Sequence, residues 1–375
     1  MKKIITALAF VAFAGYSYSQ SLVSPPSGDN QMAKVIQHIG PVKISIEYSS
    51  PHVHTAKGED RTGHIWGELV PYGFLDQGFG LNPMPWRAGA NENTVVTFSN
   101  DVKIEGKELK AGAYGLFLAP SKEGQWTWIF SNNSTSWGSF FYKQTEDALR
   151  VDVTPTDVSF TEYLTYGFDD RLPNSATAYL QWESKRIPFK IEVANVNDLY
   201  VATMRNQLRS TVGFDYRNYS QAATFCAQNK INLEEALTWA NRAADQTFGG
   251  REEFGTLRAK ADVLTAMGKD ADSDATMEKA IHLPDASVQV IHQYGRSLLN
   301  AGKKEKAMEI FKYNAQKHPE DKFTPNVGLA RGYTAMGDKK NAIARWEDAI
   351  KNIPDQQKAN IKFYQGELDK LKSGK

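Results

Sequence analysis

The feature that most restricts this chain is a change of hydrophobic rhythm near Asn195. Before it, apolar residues recur at every second position in short runs; after it, at every third or fourth. A period of two suits a strand with one face buried, and a period near 3.6 suits a helix. A chain that switches once is expected to hold two separately cored modules. Its 375 residues leave room for both, because a single core rarely grows that large.

Beyond Asn195 the text repeats. Gly337, Ala342, Trp346, Ala349 and Pro354 stand at the offsets of Gly302, Ala307, Phe311, Asn314 and Pro319, a shift of roughly 35 residues against the 34 of tetratricopeptide repeats. Gly268, Ser273, Met277 and Ala280 fall in step one unit earlier, and Ala236, Ala240 and Ala243 give a weaker first copy. Small residues let two antiparallel helices approach, and the aromatic position fills the gap between them. Glycine ends the first helix of each pair and proline stops the second. Residues 196–375 are therefore expected to form an all-α tetratricopeptide-like solenoid, closed by a polar capping helix over Gln356–Lys372. Such stacks offer a concave surface to a protein or peptide partner; the alternative is a scaffold that only docks the first module.

Residues 35–195 read as an all-β sandwich or barrel. Val42–Tyr48 alternates cleanly, Thr94–Phe98 is a β-branched run closed by Ser99-Asn100-Asp101, and Glu105-Gly106-Lys107 offers a tight hairpin turn. Lys110–Leu118 leads through Pro120 to Gly124 into Trp126–Phe130 as another hairpin. Arg150–Thr154, Phe160–Phe168, Thr177–Glu183 and Ile187–Val193 add further strands, with no helical pattern between them.

Lys2 and Lys3, the apolar run Ile4–Ala14 and the small residues Gly15–Ser19 read as a signal peptide over 1–19, followed by a disordered linker over 20–34. The expected product is periplasmic or secreted, with no membrane span after cleavage. Cys226 is the one cysteine and has no partner for a disulfide within the chain. Lys plus Arg (44) nearly match Asp plus Glu (43), so no basic field points to nucleic acid. No phosphate loop or nucleophile elbow occurs, and Gly78-Phe79-Gly80 lacks the third glycine of a dinucleotide site; no cofactor is expected.

Two groups of residues can carry binding chemistry. Trp86, Arg87, Asn91 and Glu92 share a glycine-bearing loop just ahead of a strand, where Arg87 can hold a carboxylate or sugar hydroxyl while Asn91 and Glu92 complete the hydrogen bonding, or Arg87 and Glu92 can simply pair. Trp137 and Tyr142 belong to an aromatic set with Trp126, Trp128, Phe140 and Phe141, and exposed rings stack on sugars; Trp126 and Trp128, two apart on one strand face, fit a core equally well. A glycan or small-molecule ligand is expected on that basis. His52, His54 and His64 form an alternative metal group, the first two on one side of a strand, although no zincin-type helix motif accompanies them.

Leu69-Val70-Pro71-Tyr72-Gly73, the Trp86–Glu92 loop, Gly106-Lys107, Ala111-Gly112-Ala113-Tyr114-Gly115-Leu116, Trp126, Ile129-Phe130, Trp137-Gly138 and Asp147–Val151 together make a specific set. On these residues the first half resembles the bacterial family known as domain of unknown function 2911, over about 35–193. Its pairing with helical repeats is similar to exported proteins of Bacteroidetes-like bacteria. The resemblance implies the β architecture and brings no activity with it. Phe74–Met84 lengthens the link between two of its motifs, and the three histidines lie outside its pattern. The leading expectation is a non-enzymatic envelope protein with a ligand-binding β domain and a protein-binding helical module. The alternatives are a hydrolase or lyase on envelope polymers, with Glu92, His52, His54 or Asp60 as acid-base or metal groups, and a purely structural adaptor.

Overall fold

A computed structural model describes residues 25–55, 57–76 and 83–374. The expected signal peptide and the start of the expected linker lie outside them. The chain divides into two compact units, the first ending at Val196 and the second beginning at Asn197.

The first unit is two antiparallel sheets. Its strands are β1 (Gln31–Ile39), β2 (Val42–Ser50), β3 (Ala90–Phe98), β4 (Val102–Ile104), β5 (Lys107–Leu109), β6 (Gly112–Ala119), β7 (Trp126–Ser131), β8 (Asp147–Val153), β9 (Thr156–Leu172) and β10 (Ser175–Glu192). Six form one sheet in the order β1-β2-β3-β6-β7-β8, and four the other in the order β5-β4-β10-β9. Turn chemistry fixes the register: Glu105 and Gly106 both take positive φ, as a two-residue hairpin between β4 and β5 requires.

The inner faces meet through aromatic rings. Trp128 and Phe130 of β7 lie 5.2 and 5.6 Å from Phe189 of β10, and Tyr48 of β2 lies 4.8 Å from Tyr166 of β9. Ile44, Ile46, Val96, Leu116, Leu180 and Ile191 fill the space between them, fully buried. Trp126 and Trp128 are both buried, so these two tryptophans of the aromatic set belong to the core.

Two local expectations change. The linker over 20–34 gives way to structure at its end: Ser27–Asp29 is a tight turn in which Gly28 and Asp29 take positive φ, and β1 begins at Gln31, pairing residue by residue with β2. β1 is an edge strand whose side chains alternate between partly buried and exposed from Ala33 on, but the apolar Met32 and Ile36 fall on the exposed face and hide that alternation in the sequence. Thr177–Glu183 and Ile187–Val193 are parts of one strand rather than two: β10 runs through a bulge at Glu183, which takes a positive φ.

The second unit is α1 (Val196–Gln207), α2 (Tyr216–Asn229), α3 (Leu233–Ala244), α4 (Phe254–Ala266), α5 (Asp270–His282), α6 (Val288–Asn300), α7 (Lys304–Lys317), α8 (Thr324–Met336), α9 (Lys339–Lys351) and α10 (Ile361–Ser373). α2 packs on α3, α4 on α5, α6 on α7 and α8 on α9, which makes tetratricopeptide-like helix pairs. The repeat positions read from sequence are the buried ones: Ser273, Ala307 and Ala342; Met277, Phe311 and Trp346; Ala280, Asn314 and Ala349. Gly268, Gly302 and Gly337 follow the first helix of a pair with positive φ, as a left-handed helix end requires. α10 places Leu368 against the cluster of Phe323, Ala330 and Trp346 and so covers the last apolar edge. Phe311 is held between glycines, Gly295 of α6 and Gly328 and Gly332 of α8, each lying where a methyl group would meet its ring. Among the described residues no helix is long and apolar enough to cross a membrane.

Candidate functional site

The Trp86–Glu92 loop is a self-satisfied turn. Trp86 exchanges two main-chain hydrogen bonds with Leu118 and stacks on Trp182 at 6.0 Å. Ala88 and Asn91 both take positive φ, and the carbonyl of Ala88 accepts hydrogen bonds from the hydroxyls of Thr94 (3.2 Å) and Tyr166 (2.8 Å). The Arg87 guanidinium donates to the Asn91 carbonyl, lies 5.5 Å over the Phe140 ring and presses against Gly138, where a Cβ would have no room. Burial lowers its pKa and the Glu92 charge opposes that, yet a guanidinium stays protonated. Among the described residues no ion pair joins Arg87 to Glu92. Glu92 Oε2 instead accepts from the Ser49 hydroxyl (2.9 Å), and Asn91 Nδ2 donates to the Ser27 carbonyl (3.1 Å). Arg87, Asn91 and Glu92 therefore knot three chain segments together, and none of them lines either cleft described below.

The histidines do not converge. His52 stacks on Tyr163 at 5.9 Å, and His64 Nδ1 lies 2.9 Å from Glu68 Oε2. His54 has both ring nitrogens engaged, Nδ1 at 2.7 Å from Glu162 and Nε2 at 3.3 Å from Asp60. The Glu162 hydrogen bond raises the His54 pKa. Among the described residues no three His, Cys, Asp or Glu side chains form a group that could hold a metal.

Trp137 and Tyr142 part company. Trp137 stays at the surface, 52% exposed, with Phe140 and Phe141 also exposed. Tyr142 turns inward onto the outer face of the six-stranded sheet, against Phe117 (5.4 Å between rings) and Ile129. Its hydroxyl donates to Asp147 Oδ2 (2.9 Å) and accepts from Arg150 Nη2 (2.6 Å), while Arg150 Nε donates to the same carboxylate oxygen (2.7 Å). Asp147 Oδ1 is buried with no donor. Burial pushes the Tyr142 phenol far up, and the Asp147 carboxylate adds to it. Burial acts against the Arg150 charge, but Asp147 outweighs it and the pKa rises. Phe74 lies 5.3 Å over the guanidinium. Phe74, Tyr142 and Arg150 line a 360 Å³ cleft with Pro83, Lys143, Gln144 and Thr145. Asp147 and Arg150 stand in a motif of the family resemblance, but their convergence with Tyr142 needs the helical turn Gln144–Glu146 between them.

A larger cleft, 620 Å³, opens in the helical unit. α6 supplies Gln289, His292, Gln293 and Arg296, the start of α8 supplies Phe323 and Val327, and the segment beyond α9 supplies Asn352, Gln356, Gln357 and Tyr364. His292 forms its back wall, 5.6 Å from Phe311, with Nδ1 buried and unpartnered. Burial, then the charges of Arg331 and Arg296, push its pKa down to about 4. The sequence carries a signal for this face, since Gln289, Gln293 and Arg296 recur at helical spacing as a polar stripe along α6.

Residues 30–191 match the family described as protein of unknown function DUF2911. No curated protein matches the chain. Among solved structures it is similar to YrrB, described as a TPR protein with an unusual peptide-binding site, at 17% identity and TM-score 0.30, covering 43% of this chain and 80% of that one. It is also similar to MamA 41-end from Desulfovibrio magneticus RS-1, at 18% identity and TM-score 0.28, covering 42% of this chain and 92% of that one. A domain of unknown function is thus joined to a tetratricopeptide-like helical module, an arrangement that suggests protein interaction.

Proposed function

We propose that this chain is an exported, non-catalytic binding protein whose helical unit captures an extended segment of a partner protein while its β unit holds a small ligand. The groove of the helical unit carries the reading. The side chains of Gln289 and Gln293 of α6, and of Gln356 across the cleft, make no hydrogen bond among the described residues. A carboxamide donates and accepts at once, which suits the alternating N–H and C=O groups of an extended main chain. Phe323 and Tyr364 offer apolar contact, and the charges that line the cleft balance, Arg296 and Lys322 against Glu320 and Asp321, so a partner of mixed charge suits it. Export rests on the charged start and the apolar run of the first residues.

Selection of binders from a random peptide library by the full chain, followed by titration, tests the groove. Gln293→Ala and Arg296→Glu are expected to weaken selected peptides by roughly tenfold or more while the urea midpoint stays in place. Unchanged affinity in both variants would sink the reading. Export is checked by fractionating the native cell and sequencing the mature N-terminus: a start near Ser19 or Gln20 supports it, and an intact Met1 in the cytoplasm overturns it.

A further inference from the structure

We propose that the cleft on the outer face of the six-stranded sheet binds a small organic anion, a carboxylate or phosphate ester carried on a flat apolar body. This rests on the reading of the β unit as a ligand-binding module and names the class of ligand. The argument starts with Arg150. A guanidinium has five N–H groups in a rigid plane. The edge formed by Nε and Nη2 is consumed by Asp147 Oδ2 and the Tyr142 hydroxyl, at 2.7 and 2.6 Å. The edge formed by Nη1 and Nη2 keeps its donors unengaged among the described residues, and the side chain is 33% exposed.

The guanidinium lies over the Phe74 ring, and its hydrogen bonds to Asp147 and Tyr142 fix its orientation. A guanidinium held in this way presents a forked pair of donors, the shape that a carboxylate or phosphate accepts in two-point fashion. Asp147 matches the Arg150 charge, so Arg150 contributes orientation, and the net positive charge comes from Lys143 at the rim, which has no ion-pair partner among the described residues. Pro83 and the rings of Phe74 and Tyr142 give an apolar wall, while Thr145 and Gln144 border the polar end. At 360 Å³ the cleft is near the lower end of small-molecule sites, which restricts it to a compact ligand.

The test is calorimetric titration of the full chain with benzoate, phenyl phosphate, the neutral isostere benzamide, and N-acetylglucosamine as a neutral sugar. Both anions are expected to bind, and benzamide about tenfold more weakly or worse. Arg150→Lys keeps the charge but loses the fork, and is expected to cost about tenfold in benzoate affinity. If that variant melts early, Lys143→Gln serves instead: it lies outside the hydrogen-bond network and is expected to weaken phenyl phosphate about threefold. Benzamide binding as tightly as benzoate overturns the anion assignment, as does a folded Arg150→Lys chain that binds benzoate normally. Binding of N-acetylglucosamine with both anions silent at ~10 mM overturns the anion class and spares the β unit's binding role; silence of every probe overturns both.

Discussion

Acid is expected to weaken the helical unit through His292. Its ring lies behind the groove with Nδ1 unpartnered and Phe311 beside it, and its pKa is pushed down to about 4 by burial and by Arg331 and Arg296, with Asp321 the acid that opposes them. The unfolded chain has an ordinary histidine near 6.5. Between those values the unfolded state binds the proton and the folded state does not, so stability falls as pH drops from about 6.5 to about 4 and is fully present above that window. At ~1.4 kcal/mol for each tenfold change in proton affinity, the loss attributable to this side chain is about 3 kcal/mol. Urea unfolding of the chain and of His292→Gln at several pH values isolates it from the carboxylates, which titrate in both. The gap between the two curves is expected to shift by about 3 kcal/mol in favour of the variant between pH 7 and pH 4. Proton resonance titration of the histidine ring that disappears in His292→Gln gives the pKa directly. A constant gap, or a ring titrating near 6.5, refutes the reasoning.

Two further outcomes follow from packing. Gly328→Ala would set a methyl group 2.6 Å from a Phe311 ring carbon and 3.1 Å from His292 Nδ1, and is expected to destabilise by about 1–3 kcal/mol in urea unfolding; adding Phe311→Leu is expected to return part of that loss, and strict additivity would refute the clash. Arg87→Ala is expected to lower stability by about 2 kcal/mol through loss of the Asn91 carbonyl contact and the Phe140 ring, with affinity for benzoate unchanged; a normal thermal midpoint would show that the turn does not depend on it.

The helical register was legible because each position is tested several times along the chain: a buried Ala at 280 is answered by Asn314 and Ala349. The hairpins of the β unit were legible wherever glycine marked a turn, as at Gly106. The bulge at Glu183 was not, since Ser184-Lys185-Arg186 reads as a break when the strand in fact continues through it. The role of Arg87 lay beyond sequence reasoning for a different reason: whether an arginine meets a ligand or a carbonyl depends on which distant segment closes over it, and Gly138 and Phe140 do so here. Tyr142 was read as a binding residue from its aromatic company, but its partners Asp147 and Arg150 only become a site once the turn between them folds.

The glycines around Phe311 bear on how such a stack can evolve. One repeat further on, Ala330 occupies the station that Gly295 holds beside Phe311, and it neighbours Trp346 instead; one repeat back, Ala261 stands near Met277. Lengthening the array by duplicating a generic unit is tolerable at those joints. At the α6–α8 joint a transplanted unit would bring alanine against a phenyl ring that has no space for it, so this segment is expected to be inherited whole, with ring and glycines changing together or not at all.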